Sequence, residues 1–191
     1  MAAYKKNAGR LGAHIVFVDE SGFQLTPNVR KTWAPKGQTP IHRHHYRREK
    51  VSVISGISVS PARKLLGLYF LMYAHNIRHE EVRQFIRHLL KHLRGPVIVV
   101  WDNAKIHKGE PIRELCRRHR RLHLEALPPY APELNPDEGV WGHAKRGLSN
   151  GCPIDTPGLM GEVSSALEDI RMSQTNLRGC VSLSGLPLFS P

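Results

Sequence analysis

The chain has 191 residues, 40% of them hydrophobic, and carries 28 lysines and arginines against 16 acidic residues, which gives a formal net charge of +12. This length suits one domain with its own core, and the composition excludes collagen-like, disordered and disulfide-scaffold proteins. No apolar run approaches the length of a membrane span, and no signal peptide is evident. The three cysteines are widely spaced, which predicts reduced thiols in a cytoplasmic protein.

The positive charge is concentrated in the first 150 residues. That stretch holds 26 basic residues, 12 acidic residues and all twelve histidines, whereas residues 151–191 hold two basic and four acidic residues. Such a one-sided balance favours a polyanionic partner, most often a nucleic acid. A basic surface with no dedicated partner is the competing interpretation, and charge alone separates the two poorly.

Strands joined by short turns are predicted in the first part of the chain. They are His14–Asp19, Val29–Trp33, Val51–Val59 and Leu65–Tyr73. The first has four consecutive apolar residues, which indicates a buried central strand, and we expect it to end at Ser21-Gly22. The last two are separated only by a turn, so they form a hairpin and this part of the sheet is antiparallel.

Helices and strands alternate in the second part. The predicted elements are a helix from about residue 80 to Leu93, a buried strand over Pro96–Asp102, a basic helix over 110–120, a strand over Leu122–Leu127, and helices over Asn135–Leu148 and Pro157–Met172. The order predicts an α/β fold with a mixed sheet flanked by helices. We expect residues 1–12 to be an extension, 13–172 one domain and 173–191 a tail without an assigned element.

Two aspartates follow buried strands. Side chains alternate along a strand, so Asp19 shares a face with Ile15 and Phe17, while Asp102 ends the second buried strand. If the two strands are neighbours, their carboxylates meet and repel each other unless a cation intervenes. Carboxylate oxygens suit Mg²⁺ or Mn²⁺. For either aspartate taken alone, a turn or a helix cap is the stronger interpretation.

Glu138 is the third acidic candidate. Asn135 is a favourable N-cap, Pro136 fits the first helical position, and Glu138 lies three residues after the cap, which is the spacing of a capping box. Against this structural role, Val140 and Trp141 mark the buried face of the same helix. Glu138 therefore lies beside that face, near enough to point at the strand ends.

Four sequence blocks follow one another in a characteristic order. They are Asp19-Glu20-Ser21 after the first strand, Thr32-Trp33-Ala34-Pro35-Lys36-Gly37-Gln38-Thr39-Pro40, Trp101-Asp102-Asn103-Ala104 with His107, and Leu127-Pro128-Pro129-Tyr130-Ala131-Pro132-Glu133-Leu134-Asn135-Pro136-Asp137-Glu138-Gly139-Val140-Trp141. From about residue 13 to about 150 the chain resembles the catalytic domain of DDE-superfamily transposases, in the bacterial insertion-sequence branch related to the mariner group. The proline-rich block that ends in Asn-Pro-Asp-Glu is the most specific part.

The resemblance implies an RNase H-like fold and a catalytic, metal-binding triad of Asp19, Asp102 and Glu138. It implies two Mg²⁺ or Mn²⁺ ions and phosphoryl transfer on double-stranded DNA, first to nick the transposon ends and then to join them to target DNA. Asp137 competes with Glu138 by one position but does not match the motif. Glu20 alternates to the other strand face and is left out. A homodimer is expected because transposition joins two ends.

Other residues are assigned supporting roles. We expect Asn103 and His107 to orient phosphate or a metal-bound water, although a loop histidine that caps a helix is an equal alternative. The candidate DNA contacts are Lys36, Arg43, Arg47, Arg48, Arg117, Arg118, Arg120, Arg121 and Lys145. A solvated surface is the competing interpretation for each, and the cluster at 113–121 is favoured over the loop at 42–50.

The chain starts within a dozen residues of the first catalytic strand. Members of the family usually carry N-terminal helix-turn-helix modules that read the transposon ends, so we expect a separate chain to supply them, unless this is a truncated copy. The expected location is the bacterial cytoplasm, on nucleoid DNA. Two other functions stay open: an RNase H-like nuclease with another substrate, and a non-catalytic DNA-binding remnant.

Overall fold

The structure is a computed structural model that describes residues 3–25, 33–38, 49–149 and 153–185. The strands are β1 (His14–Gln24), β2 (Lys50–Val59), β3 (Leu66–Tyr73), β4 (Val97–Trp101) and β5 (Leu122–Ala126). The helices are α1 (Ala3–Leu11), α2 (His79–His92), α3 (Glu110–Arg118), α4 (Asp137–Gly147), α5 (Thr156–Arg171) and α6 (Gln174–Leu183). Short 3₁₀ turns cover Lys105–His107 and Pro132–Leu134.

The five strands form one sheet in the order β3-β2-β1-β4-β5. β2 pairs antiparallel with both β1 and β3, whereas β4 pairs parallel with β1 and β5. A short turn over 60–65 joins the antiparallel strands β2 and β3, and each parallel pair needs a crossover, which the helices α2 and α3 supply. This arrangement confirms the mixed sheet that the order of elements predicts.

Helices cover both faces of the sheet, because the residues of β1 alternate between two cores. Phe17 packs on one face with Val140 of α4, and this core also takes residues of α1, α5 and α6. Val16 packs on the other face with Phe85 of α2, together with residues of α3. All four side chains are fully buried. The central strand is therefore apolar on both faces, as a continuous apolar run predicts.

β1 is longer than predicted. It passes through Ser21-Gly22, the expected end, and continues to Gln24, which pairs with Lys50 of β2. Phe23 is only 5% exposed, so the extension is held by both ladder hydrogen bonds and packing. The glycine does not end the strand because β2 offers a partner beyond it. Of the weaker strand predicted over 29–33, residues 29–32 lie outside the described residues, and Trp33 is fully exposed and outside any strand.

Two helices form outside the segment expected to make the domain. α1 covers most of residues 1–12, and α6 lies in the tail that had no assigned element. Ser173 begins α6, since its Oγ accepts a hydrogen bond from Asn176 N at 3.2 Å. Leu177 and Val181 are fully buried in the core that contains Phe17. Both terminal segments therefore contribute to packing on one face of the sheet.

Two of the three cysteines lie in the described residues. Cys116 and Cys180 are free thiols, and Cys152 lies outside the described residues. None of the helices in the described ranges is long and apolar enough to cross a membrane.

Candidate active site

The three predicted carboxylates line one cleft at the carboxyl end of β4. The cleft has a volume of about 390 Å³, and Asp19, Asp102 and Glu138 all contribute to its wall. Asp102 directly follows β4. Asp19 lies in the middle of β1, two residues beyond Phe17, which is the last β1 residue paired with β4. The parallel pairing therefore brings the two aspartates to the same edge, although only one of them ends its own strand.

Asp19 is held by α4 and is electrostatically strained. The indole Nε1 of Trp141 donates a hydrogen bond to its Oδ2 at 2.9 Å. Burial is the main cause that raises the pKa of Asp19 to about 7; the Trp141 hydrogen bond lowers this pKa, and the negative charges of Glu20 and Glu138 contribute to raising it. A carboxyl group that needs compensation for its charge thus lies at the base of the cleft.

The structure separates the neighbouring acids Asp137 and Glu138. Asp137 is fully buried, and its Oδ1 accepts a hydrogen bond from Ser55 Oγ at 3.0 Å. Burial, followed by the charge of Asp19, raises the pKa of Asp137 well above its ordinary value. Glu138 is exposed and lines the cleft. Only Glu138 of this pair can therefore offer its carboxylate to a ligand in the cleft.

The capping box predicted for α4 is not formed. Asn135 N donates to Pro132 O at 2.8 Å, so it does not bond the Glu138 carboxylate. The Asn135 side chain is buried, and its Nδ2 donates to Val18 O at 3.4 Å while its Oδ1 accepts from Asp137 N at 3.3 Å. Asn135 therefore ties the start of α4 to β1, which leaves Glu138 available for the cleft.

His107 lies behind Asp102 and does not face the cleft, contrary to the expected phosphate-orienting role. Its Nε2 lies 3.1 Å from Glu20 Oε1, and its Nδ1 lies 3.0 Å from Asp102 Oδ1 and 3.2 Å from Asp102 O. Burial lowers the pKa of His107, but the hydrogen bond and charge of Glu20 and the contacts with Asp102 outweigh it and raise the pKa overall. Sequence reasoning left Glu20 out because it lies on the opposite strand face, and that face is where His107 lies.

Asn103 also has a different role from the one expected. Its Nδ2 donates to Leu127 O at 3.2 Å, which ties the end of β4 to the proline-rich segment after β5. That segment forms a wall of the cleft, with Tyr130 fully exposed and in the left-handed region at φ 58°. Asn103 therefore lines the cleft and also ties the proline-rich wall to the end of β4.

The basic cluster at 113–121 extends along α3 from Arg113, whose Nη2 donates to Lys108 O at 3.3 Å, to Arg121 at the opposite end of β4 from Asp102. Arg121 O accepts from Val97 N, the first residue of β4, and the five residues of β4 span about 16 Å. The Arg121 guanidinium donates to the carbonyls of Leu93 and Gly95 at 2.7 Å and to that of Leu90, so it caps the end of α2. These bonds give Arg121 a structural role at the end of α2.

The other arginines of that cluster are exposed. Arg117 pairs with Glu110 at 2.5 Å and Arg118 pairs with Glu114, while Arg120 is exposed beside them. These positions place their charge away from the cleft.

Two lysines outside the predicted set of DNA contacts follow Asp102 closely in the chain. Lys105 and Lys108 are exposed in the turn that follows Asp102, and sequence reasoning missed them although they lie beside the Asp102 block. Lys145 Nζ lies 5.9 Å from the centre of the Phe23 ring, on the helix that carries Glu138. Lys36 is exposed. The candidates Arg43, Arg47 and Arg48 lie outside the described residues.

The donor set fits a divalent cation, although the side chains are not gathered around one. In the described parts of the chain, no three His, Cys, Asp or Glu side chains converge closely enough to hold a metal ion. Asp19 bonds Trp141 and Asp102 contacts His107. Three carboxylates in one cleft nevertheless make a hard oxygen donor set, and a cation would relieve the repulsion that raises the pKa of Asp19.

Solved structures with the same fold include DNA transposases and an integrase. The chain aligns with the Mos1 strand transfer complex at 16% identity and a TM-score of 0.59, over 96% of this chain and 58% of that one. It aligns with the catalytic domain of Mos1 mariner transposase at 12% identity and a TM-score of 0.51, over 95% of this chain and 92% of that one. It aligns with the HTLV-2 integrase catalytic core domain at 15% identity and a TM-score of 0.51, over 84% of this chain and 86% of that one. These likenesses confirm the RNase H-like fold.

The chain spans 58% of the length of the Mos1 protein in the strand transfer complex. No curated protein matches its sequence. The profile of the family described as DDE superfamily endonuclease matches residues 14–157, which contain all three carboxylates of the cleft. The match covers most of the chain, and the chain therefore belongs to the DDE superfamily of endonucleases.

Proposed function

We propose that the chain is the catalytic domain of a DNA transposase. It nicks transposon ends and transfers them to target DNA, with Asp19, Asp102 and Glu138 as its catalytic residues. The observation that carries the proposal is that these three carboxylates line one cleft in a member of the DDE endonuclease family. They come from β1, the end of β4 and the start of α4, so residues distant in sequence share one site.

Mg²⁺ or Mn²⁺ is the proposed cofactor, held by the three carboxylates as a two-metal site. Solved structures of the Mos1 mariner paired-end complex are described with Mg and with Mn. Such ions stabilise the charge on the oxygens that attack and leave in phosphoryl transfer. In this chain, Trp141 orients Asp19, and Asn135 holds the start of α4 against β1 so that Glu138 stays at the cleft. These two contacts keep Asp19 and Glu138 at the cleft that Asp102 also lines.

Double-stranded DNA is the proposed substrate, gripped through its phosphates. Lys105 and Lys108 flank Asp102, and Lys145 lies two turns after Glu138 on α4. Together with Lys36, these cations are proposed to neutralise backbone phosphates on either side of the cleft. The arginines at 117, 118 and 120 lie at the far end of the sheet and would serve only a second DNA segment, such as target DNA.

A homodimer is proposed for the active assembly, because joining two transposon ends to one target needs two sites. The Mos1 structures include paired-end complexes, and the HTLV-2 integrase core is described in a dimeric form. Recognition of the end sequence is proposed to come from helix-turn-helix modules on a separate chain. Light scattering of the chain with and without transposon-end DNA tests the proposed homodimer. A monomer in both conditions would contradict dimer formation.

The decisive experiment is cleavage of a DNA duplex that carries a transposon inverted repeat. We expect nicking and strand transfer that need Mg²⁺ or Mn²⁺, that weaken as salt rises, and that vanish in Asp102→Asn. His119→Ala is a suitable control, because this half-buried residue lies at the end of α3, away from the carboxylates. The same substrate should be tested with a partner chain that binds the repeat.

Two other outcomes would favour the alternative functions. Cleavage of RNA–DNA hybrids without cleavage of duplex DNA would indicate an RNase H-like nuclease with another substrate. DNA binding without metal-dependent activity under any condition would indicate a non-catalytic remnant. The exposed Glu138 and the raised pKa of Asp19 favour the catalytic alternatives, since a remnant has no need to keep repelling carboxylates in one cleft.

A further inference from the structure

The exposed side chain of Asp102 is held in one orientation by contacts with Ala104 and His107. Its side chain is 58% exposed and follows the last residue of β4. Two groups hold one of its oxygens: Ala104 N donates to Oδ1 at 2.9 Å, and His107 Nδ1 lies 3.0 Å from the same atom. The other oxygen, Oδ2, takes part in neither contact. One carboxylate oxygen is therefore fixed and the other is left for the cleft.

His107 is itself fixed on three sides. Its ring stacks on Trp101 with centroids 4.3 Å apart and planes 4° from parallel. Nε2 lies 3.1 Å from Glu20 Oε1, and the His107 side chain is only 2% exposed. The Glu20 carboxylate and the Asp102 backbone carbonyl carry no hydrogen, so the ring nitrogens donate these bonds. A ring that donates from both nitrogens is an imidazolium, and its bonded neighbours determine its orientation.

We propose that His107 is a positioning residue that fixes the Asp102 carboxylate for monodentate metal binding through Oδ2, with Glu20 holding His107 in place. The inference rests on the proposed function, because it needs Asp102 to bind a cation. It also gives Glu20 a role in the site from the opposite face of β1. In many metal sites, residues that do not touch the metal hydrogen-bond to the ligands and orient them, and the loss of such a residue lowers the affinity for the metal.

The test is Mn²⁺ binding to the full 191-residue chain, followed by electron paramagnetic resonance without DNA. Loss of an outer partner of this kind weakens metal binding about 10- to 100-fold, and we expect that loss in His107→Ala. Glu20→Ala should weaken binding by a smaller factor, since the Trp101 stack still holds the ring. Glu20 is partly exposed, so its variant remains informative even where His107→Ala fails to fold.

His79→Ala is the matched control. His79 is half-buried, and its Nδ1 lies 2.8 Å from Ile106 O, in the same 3₁₀ turn as His107, but it touches neither carboxylate. It should leave Mn²⁺ affinity unchanged. A purely structural role for His107 would lower affinity to a similar extent in both histidine variants.

A double-mutant cycle with Asp102→Asn separates positioning from general damage. If His107 acts through Asp102, adding His107→Ala to Asp102→Asn should weaken Mn²⁺ binding no further. An equal additional loss in that background, or an unchanged affinity in folded His107→Ala and Glu20→Ala, would overturn the inference alone. Failure of the unsubstituted chain to bind Mn²⁺ would overturn the proposed function, and the inference with it.

Discussion

Asp19→Asn in the metal-free protein tests the electrostatics of the cleft directly. Asparagine keeps the size of the side chain and an oxygen that can accept the hydrogen bond from Trp141, so the change is one of charge. Burial, with the neighbouring carboxylates Glu20 and Glu138, raises the pKa of Asp19 from 3.8 to about 7. The folded state therefore prefers the protonated acid, while the unfolded state ionises freely above pH 4.

The expected change in unfolding free energy follows from the difference between the pKa values of Asp19 in the folded and unfolded states. A raised pKa in the folded state stabilises the fold fully below pH 3.8, and this contribution is lost as the pH rises to about 7. A displacement of roughly three pH units, at about 1.36 kcal/mol each, amounts to about 4 kcal/mol. Asparagine never ionises. Relative to the unsubstituted chain, Asp19→Asn should therefore unfold with a free energy higher by up to about 4 kcal/mol at pH 8 and by only about 0.6 kcal/mol at pH 4.

The assay is urea unfolding in EDTA at pH 4, 6 and 8, with the unsubstituted chain measured beside each variant. Glu133→Gln is the control: it removes an exposed carboxylate from the same segment as Glu138, solvated in the folded and unfolded chain alike. Mg²⁺ at pH 8 should stabilise the unsubstituted chain more than Asp19→Asn. Equal unfolding free energies at pH 8, or a difference that does not shrink toward pH 4, would refute the reasoning.

Three further substitutions separate structure from chemistry. Glu138→Gln should change the unfolding free energy by less than about 0.5 kcal/mol but reduce metal-dependent DNA cleavage by about 10²- to 10³-fold; unimpaired cleavage would remove this residue from the triad. Gly139→Ala should cost about 1–3 kcal/mol in thermal unfolding, because its Cβ would lie 2.9 Å from Cys180 Cα, whereas Gly142→Ala meets nothing closer than 3.7 Å and should be neutral or stabilising. Arg121→Ala should cost about 1–3 kcal/mol by losing its carbonyl bonds at the end of α2, with DNA affinity in filter binding unchanged; weaker DNA binding by a folded variant would restore its predicted role.

Elements with a strong local pattern were predictable. β2, β3 and β4 lie within one or two residues of their predicted bounds, because each is an apolar run between turn residues. α6 was not predicted because its buried residues, Leu177 and Val181, are diluted by serine and glycine, although Ser173 provided a start signal. The end of β1 was misplaced because a glycine weakens a strand only when no partner strand pairs beyond it.

Roles that depend on distant partners were not predictable. The contact of His107 with Glu20 joins residues 87 positions apart, and the bond of Asn135 to Val18 joins residues 117 apart. Local spacing indicated a helix cap for Asn135, and its Oδ1 does accept a hydrogen bond from Asp137 N. Only the sheet shows that the same side chain also anchors α4 to β1 through Val18 O. Likewise, the arginine cluster looked suitable for DNA until the strand direction placed it away from the cleft.

By itself, the sequence determined the kind of chemistry available: two aspartates after apolar strands, a glutamate in a proline-rich block, and a mixed α/β order of elements. These are local properties, which can be read from the residue types and their spacing along the chain. The tertiary structure decided which acid of the pair 137–138 faces the cleft, that Arg121 bonds the carbonyls at the end of α2, and that His107 contacts Asp102 from the opposite face of β1. Those outcomes depend on strand register and helix packing, which bring together residues that no local pattern connects.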